Sequence, residues 1–421
     1  MRKQKITKIV VYFQITNLLI SIIAGNWADH QIKFFRHGYQ TWSFLTSNFG
    51  SFDDFYGDRF EKLGDYYHWR EYTQAPITNI IGKFFYFIPE RSSIVVFALI
   101  NVLVIIFILN MINIKNINLN IFLVIVSYPF MFALFRGNND IYLLSWLLII
   151  LFFHLSQRYL IVGFLTGLMI GLEPITVLFV LVLIINYRFK QISMYFLGAG
   201  IALTSPLFYG EKNLSKYYEI AKSFTSDYYF PNMVLNNGGL LFNNSLFGFI
   251  KYIFFQLRIN EGLTMTEISE NVSNYLINPY YILSITIGIT FVVFLILLSS
   301  NLDRITVLVS MMILLPYVAA AYKLVMMTFL LFCYLNFSDL KARKNLATIM
   351  FLSLIVIPKN YIWIQFSFDP TGMTIESILN PILIFLMVIS IISYSKKSIK
   401  NVKAIDSLTT FFNERVRKPS I

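Results

Sequence analysis

Cysteine is almost missing from this chain. The lone Cys333 rules out an intramolecular disulfide framework and a thiolate metal cluster; inside an apolar run it reads as a small core hydrophobe. Histidine is nearly as scarce. His30, His37, His68 and His154 offer no metal-ligand spacing, so a metal would have to be held by carboxylates. Charge is thin as well: charged side chains are 13% of the 421 residues, about half the roughly 25% of a soluble domain, which excludes an ordinary water-soluble globule. A heptad array, a low-complexity linker and an evident internal repeat are also lacking, which leaves a single domain over residues 1–421.

What fills the chain is apolar sequence. Hydrophobic residues reach 57% and the mean hydropathy is +0.65, the composition of a polytopic membrane protein. A net charge of +12 would suit nucleic acid, but its distribution excludes that partner. Arg2, Lys3, Lys5 and Lys8 precede the apolar run from Ile9 to Ala24, and no small-residue cleavage site follows, the pattern of a retained signal-anchor. With the N-terminus inside, twelve spans are expected, at 7–27, 92–112, 119–135, 140–156, 159–172, 174–187, 191–209, 279–299, 304–320, 324–337, 346–362 and 375–395. Both termini are then cytoplasmic. More than half of the 34 lysines and arginines fall on that side, as the positive-inside rule requires. The basic excess is a topology signal for the cytoplasmic membrane, and the lipid bilayer is the first partner. The expected fold is all-α, about twelve transmembrane helices with two long outer loops.

The stretch 159–187 is too long for one span and short for two. Pro174 would break a continuous helix, so two short paired helices meeting at Glu173 are expected. The outer loops, 28–91 and 210–278, mix charge with Tyr, Phe and Trp, as interfacial helices with aromatics at headgroup depth do. LFGFIKYIFFQL in the second loop reads as one such helix, Gly238-Gly239 as a turn, and 396–421 as a cytoplasmic tail. In the first loop Asp53 and Asp54 form a carboxylate pair, directly after a transmembrane helix. Long loops on membrane proteins tend to carry function.

Several motifs occur in an order that resembles the GT-C glycosyltransferases, especially bacterial polyprenyl-phosphate-mannose-dependent mannosyltransferases and their uncharacterised relatives. They are Asp53-Asp54-Phe55, Leu63-Gly64 and the run from Tyr72 to Thr78; Phe135-Arg136-Gly137-Asn138-Asn139-Asp140; GFLTGLMIGLEP from Gly163 to Pro174; and Asn243-Asn244-Ser245-Leu246. Together they span roughly residues 50–250. Two departures stand out. Glu173 occupies a position where the family usually has lysine, and LPYVAAAYKL (315–324) lacks the histidine often found there, with Lys323 in its neighbourhood.

The resemblance implies an inverting transfer of mannose or a related sugar. The sugar would pass from a polyprenyl-phosphate donor to a glycolipid or glycan acceptor at the outer face of the membrane, with no cofactor and no metal. Such a transfer needs a base for the acceptor hydroxyl. One carboxylate of an adjacent pair can be raised toward a useful pKa by its neighbour, so Asp54, then Asp53, is the expected catalytic group. The leaving lipid phosphate needs cations, and Arg136 and Lys323 stand at outer span ends. Asn139, Asp140, Tyr72, Gln74, Asn243 and Ser245 are the expected substrate contacts. Plainer readings stand beside these. The Asp pair also suits a solvated turn or helix cap, Arg136 a snorkelling anchor, and Asp140 and Glu173 structural partners of Arg136. Tyr66, Tyr67, Tyr72, Tyr228 and Tyr229 suit either sugar stacking or an interface belt. A transporter or flippase for lipid-linked glycans, or a polysaccharide polymerase or ligase, is the competing function.

Overall fold

The structure, a computed structural model, describes residues 2–31, 76–78, 81, 88, 90–112, 114–186, 188–209, 214–236, 240, 243–359, 363–364 and 373–399. Asp53, Asp54, Tyr72 and Gln74, any interfacial helix between 32 and 75, and the tail beyond 399 lie outside these residues.

Each of the twelve expected segments contains helix, although 304–320 and 346–362 leave it at Leu314 and Ile355. The first six correspond to α1 (Arg2–Gln31), α2 (Glu90–Ile112), α3 (Ile117–Ile125) with α4 (Tyr128–Arg136), α5 (Asp140–Leu155), α6 (Tyr159–Leu168), and α7 (Val180–Ile185) behind a 3-10 turn. Next comes α8 (Phe189–Thr204). The second outer loop is itself helical: α9 (Leu214–Phe224), a π-helical stretch (Thr225–Leu235), α10 (Leu246–Asn260) and α11 (Met265–Asn271). The last five segments are α12 (Ile277–Leu297), α13 (Asn301–Leu314), α14 (Val325–Phe337), α15 (Arg343–Ile355) and α16 (Glu376–Ile399). Between α15 and α16 a two-residue antiparallel ladder pairs β1 (Trp363–Ile364) with β2 (Met373–Thr374).

Length and composition separate these helices. Among the described residues three are long and apolar enough to cross a bilayer alone, at Val95–Ile112, Thr266–Leu297 and Glu376–Ser395. The second begins well before the expected start at 279, because α11 runs through a π turn (Val272–Leu276) into α12 without a break. The span expected at 119–135 is corrected to two helices bent by 61°. Ser127 takes an extended conformation as the N-cap of α4, and a proline fills the first turn behind it, an arrangement that ends one helix and starts another. Its hydroxyl donates to Val124 O (2.7 Å) and accepts from Thr328 Oγ1 (3.1 Å), which ties the bend to α14.

Helix α14 is the centre of the bundle. Every residue from Val325 to Leu335 is buried, as a helix apolar on all sides must be. It packs against α3, α4, α5, α13 and α15. At 13 residues it is about 20 Å long, short of the ~30 Å hydrocarbon core. The glycine-rich α6 lies tight against α8. A Cβ at Gly167 would sit 2.0 Å from Tyr195 O, and one at Gly198 2.1 Å from Phe164 O. This is the small-residue contact by which helices approach closely in lipid.

Candidate active site

The break between the two short helices positions an acid. After α6 the chain tightens into a 3-10 turn (Met169–Gly171), then Glu173 becomes extended and Pro174 opens a second 3-10 turn (Pro174–Phe179). Proline has no N–H to continue a helix, so the expected break is present. Thr176 secures it, its N–H (3.0 Å) and Oγ1 (2.7 Å) both donating to Glu173 O.

The Glu173 side chain meets a cation from the opposite half of the sequence. Lys323 lies in a short turn (Ala321–Leu324) at the head of α14, and its Nζ is 2.8 Å from Glu173 Oε1, with both side chains mostly buried. Burial alone would lower the Lys323 pKa. The Glu173 carboxylate, then Asp140, overrides that and raises it above the ordinary lysine value, so the ammonium stays charged. Tyr229, from the π-helical stretch, stands within electrostatic reach of Lys323 and Glu173; burial raises its phenol pKa. Three other parts of the chain thus converge on Lys323.

Asp140 arrives there by way of a helix-to-helix turn. Gly137, at φ +64°, ends α4 in the left-handed conformation. Its N–H donates to Leu134 O (3.1 Å) and that of Asn138 to Ala133 O (2.8 Å), the Schellman pattern. Asn138 Oδ1 then accepts from Asp140 N (2.8 Å), and Asn139 precedes the first turn of α5. Gly137 is therefore a helix-ending residue with its N–H occupied. Arg136 is the last residue of α4, and its side chain lies outside the described atoms.

Asn243, Asn244 and Ser245 form a latch on the segment leading to Lys323. Asn243 Nδ2 donates to Tyr317 O (2.8 Å), and Asn243 Oδ1 accepts from Ala319 N (2.8 Å) and Ser245 N (3.0 Å). Asn244 N donates to Ala319 O (2.7 Å), and Asn380 Nδ2 donates to Asn244 Oδ1 (2.8 Å). Ser245 Oγ donates to Tyr317 O (3.0 Å) and accepts from Gly248 N (3.0 Å), capping α10. A Cβ at Gly248 would stand 2.7 Å from Asn243 Cγ, so the glycine makes room for the latch. Tyr317 itself is boxed by Phe230, Phe247 and Tyr280 at ring-centroid distances of 6.0, 5.0 and 5.5 Å.

Two buried groups nearby were not singled out from the sequence. Glu376 opens α16 at 1% exposure, with Lys359, Tyr128 and Asn244 around its carboxylate. Lys359 Nζ caps the end of α15, donating to Leu354 O (2.7 Å), Ile355 O (3.1 Å) and Ile357 O (3.0 Å). The available signal was an acid heading an apolar span. Lys251 lies in α10 between Phe247 and Phe255, its Nζ donating to Met233 O (3.3 Å) and to Asn236 O. The spacing Phe247, Lys251, Phe255, Ile259 marks one helix face, and all four are buried.

These features define a class: an integral membrane protein of apolar helices, with a buried charged cluster where short helices meet. The chain belongs to glycosyltransferase family 87, whose profile matches residues 72–315, and is a membrane glycosyltransferase of the GT-C type. Comparison with curated proteins and with solved structures gives no match. The matched range contains Arg136, Asn139, Asp140, Glu173, Asn243 and Ser245; Asp53, Asp54 and Lys323 fall outside it.

Proposed function

We propose that this glycosyltransferase moves mannose or a related sugar from a polyprenyl-phosphate carrier to a glycolipid or glycan acceptor, with inversion. In this reading twelve membrane segments place both termini in the cytoplasm and the reaction at the outer face of the cytoplasmic membrane. The observation that carries the proposal is Lys323. A lipid-phosphate leaving group needs a positive charge at its oxygen, and here an ammonium is kept charged at the head of α14. The helix N-terminus beside it adds partial positive charge. An ammonium has three donors; Glu173 engages one, and the rest suit a phosphate oxygen.

In the reaction, Asp54, with Asp53 second, takes the proton of the acceptor hydroxyl. That oxygen bonds to the anomeric carbon on the face opposite the phosphate. The anomeric carbon–oxygen bond breaks, and its electron pair leaves on the lipid phosphate, held by Lys323 and Arg136. Glu173 and Asp140 position the lysine. Asn243 and Ser245 fix the backbone from Tyr317 to Ala319 that leads to it, and with Asn139, Tyr72 and Gln74 they border the acceptor. One observation favours the transporter reading: half-helices meeting at a charged residue build transporter sites. Membership of a glycosyltransferase family favours the enzyme.

The test is the Michaelis constant for a synthetic polyprenyl-phosphate mannose at saturating acceptor. Losing a charge-assisted contact costs about 1.5–3 kcal/mol, roughly tenfold to a hundredfold in affinity. Lys323→Ala and Arg136→Ala should each raise the constant by that range, and Arg136→Lys should recover only part, lacking the guanidinium fork. Unchanged donor kinetics in both alanine variants would place the phosphate elsewhere.

A further inference from the structure

At the end of the bundle away from Lys323, a cavity of about 320 Å³ opens between α5, α6, α7, α13 and α14. Its walls are apolar, with Leu147, Val162, Phe179 and Phe329 among them, and they reach inward to Met169. Met169 O accepts the Glu173 N–H at 3.0 Å, so the cavity ends directly beneath the candidate active site. Cys333, the single cysteine of the chain, lies in its wall. This volume is within the ~300–1,000 Å³ range of ligand pockets.

The mouth is different in character. His154, Asn186, Arg188, Gln191 and Asn301 rim it. Arg188 donates to Gln191 Oε1 (3.4 Å) and stacks its guanidinium over Tyr159, 5.2 Å from the ring centroid. Arg304 stands behind the same rim, donating from Nε to Leu295 O (3.0 Å) and from Nη1 to the rim residues Asn186 (Oδ1, 2.7 Å) and Asn301 (Oδ1, 3.2 Å). Among the described residues no carboxylate pairs with either arginine. Two uncompensated guanidiniums at the mouth of a greasy slot match a ligand with an anionic head and a hydrocarbon tail. Arginine is the side chain best shaped for phosphate, and basic pockets between transmembrane helices on the cytoplasmic side bind anionic lipid headgroups.

We infer that this cavity is a binding site for one anionic glycerophospholipid of the adjoining leaflet, its phosphate at Arg188 and Arg304 and an acyl chain threaded toward Met169. The occupant is a bilayer phospholipid rather than the sugar carrier. A carrier whose phosphate sits at Lys323 cannot also place it at Arg188, at the other end of α7. A bound chain fills the space under the Glu173 turn, against the short helices α6 and α7.

The experiment uses the full-length protein, delipidated in detergent and titrated with palmitoyl-oleoyl phosphatidylglycerol, phosphatidylcholine, glycerophosphoglycerol or polyprenyl phosphate. Bound lipid is counted by native mass spectrometry, and modification of Cys333 by methyl methanethiosulfonate is followed by intact mass. Expected is one tightly held phosphatidylglycerol per chain, at least tenfold tighter than phosphatidylcholine, which slows Cys333 modification at least tenfold. Arg188→Ala with Arg304→Ala should remove the tenfold preference, and the paired lysine variants should retain most of it, which separates charge from misfolding. Val182→Phe, filling the slot, should abolish binding of both phospholipids and itself protect Cys333. Four results would overturn the inference: equal binding of the two phospholipids, Cys333 unprotected at saturating lipid, protection by the soluble headgroup alone, or tenfold tighter binding of polyprenyl phosphate.

Discussion

Lys323 Nζ stands 2.8 Å from Glu173 Oε1, joining the turn at the head of the central helix to the break between two short ones. The pair brings together the two places, Glu173 and the segment 315–324, where the sequence departs from the pattern it resembles, and sets an acid from one against a cation from the other.

Glu173→Gln is therefore expected to destabilise the fold, because it leaves a mostly buried ammonium without its counter-charge. The cost is about 1–3 kcal/mol, and thermal unfolding in detergent checks it. The charge-reversed pair, Glu173→Lys with Lys323→Glu, should restore most of the stability while raising the Michaelis constant for the donor. An unchanged melting temperature in Glu173→Gln would show the pair to be energetically idle.

Lys251 should make stability depend on pH in a direction opposite to a paired lysine. Burial pushes its pKa down to about 7, below the unfolded value. Between about 7 and the ordinary lysine range the unfolded chain binds a proton that the folded one does not, so stability rises with pH across that window. Below it the penalty is complete and constant. Lys251→Met removes the titration, so the difference in unfolding free energy between variant and parent should shrink steadily from pH 7 to pH 10. A difference independent of pH would mean that Lys251 is charged in the fold throughout.

Topology is checked with cysteines placed at Ser51, Ser226 and Ser398 in a Cys333→Ala background. A membrane-impermeant thiol reagent applied to intact cells should reach the first two positions and not the third. Labelling of only one outer position would mean an odd number of crossings between the loops, with the hairpin at Glu173 as the first suspect.

Much of the helical framework was legible because apolar runs and their breakers are local signals. The segment expected at 140–156 is the helix Asp140–Leu155, and the break at Glu173-Pro174 follows from a missing N–H. The bend at Ser127 falls inside an apolar run that predicts one continuous helix, although the cap and the proline behind it are both present in the sequence. Partnerships were less legible. The sequence offers Arg136 as a partner for Glu173, and the packing of α13 against the 3-10 turn instead brings Lys323 to it. Asn243 and Ser245 carried a motif, but nothing local to them announces that their polar atoms hold the backbone at Tyr317 and Ala319. Lys251 falls in a stretch that reads from sequence as an interfacial helix, and only the packed fold shows its face to be buried.

The most direct test of the central claim is sugar transfer from synthetic polyprenyl-phosphate mannose by Asp54→Asn and Asp53→Asn variants. Both substitutions keep side-chain volume and remove a base, so expression and membrane insertion should match the parent. General-base removal typically costs 10²–10⁴-fold in rate, and the account predicts a loss of that size in Asp54→Asn with a smaller loss in Asp53→Asn. Full activity in both variants, measured on protein of parental yield, would contradict it.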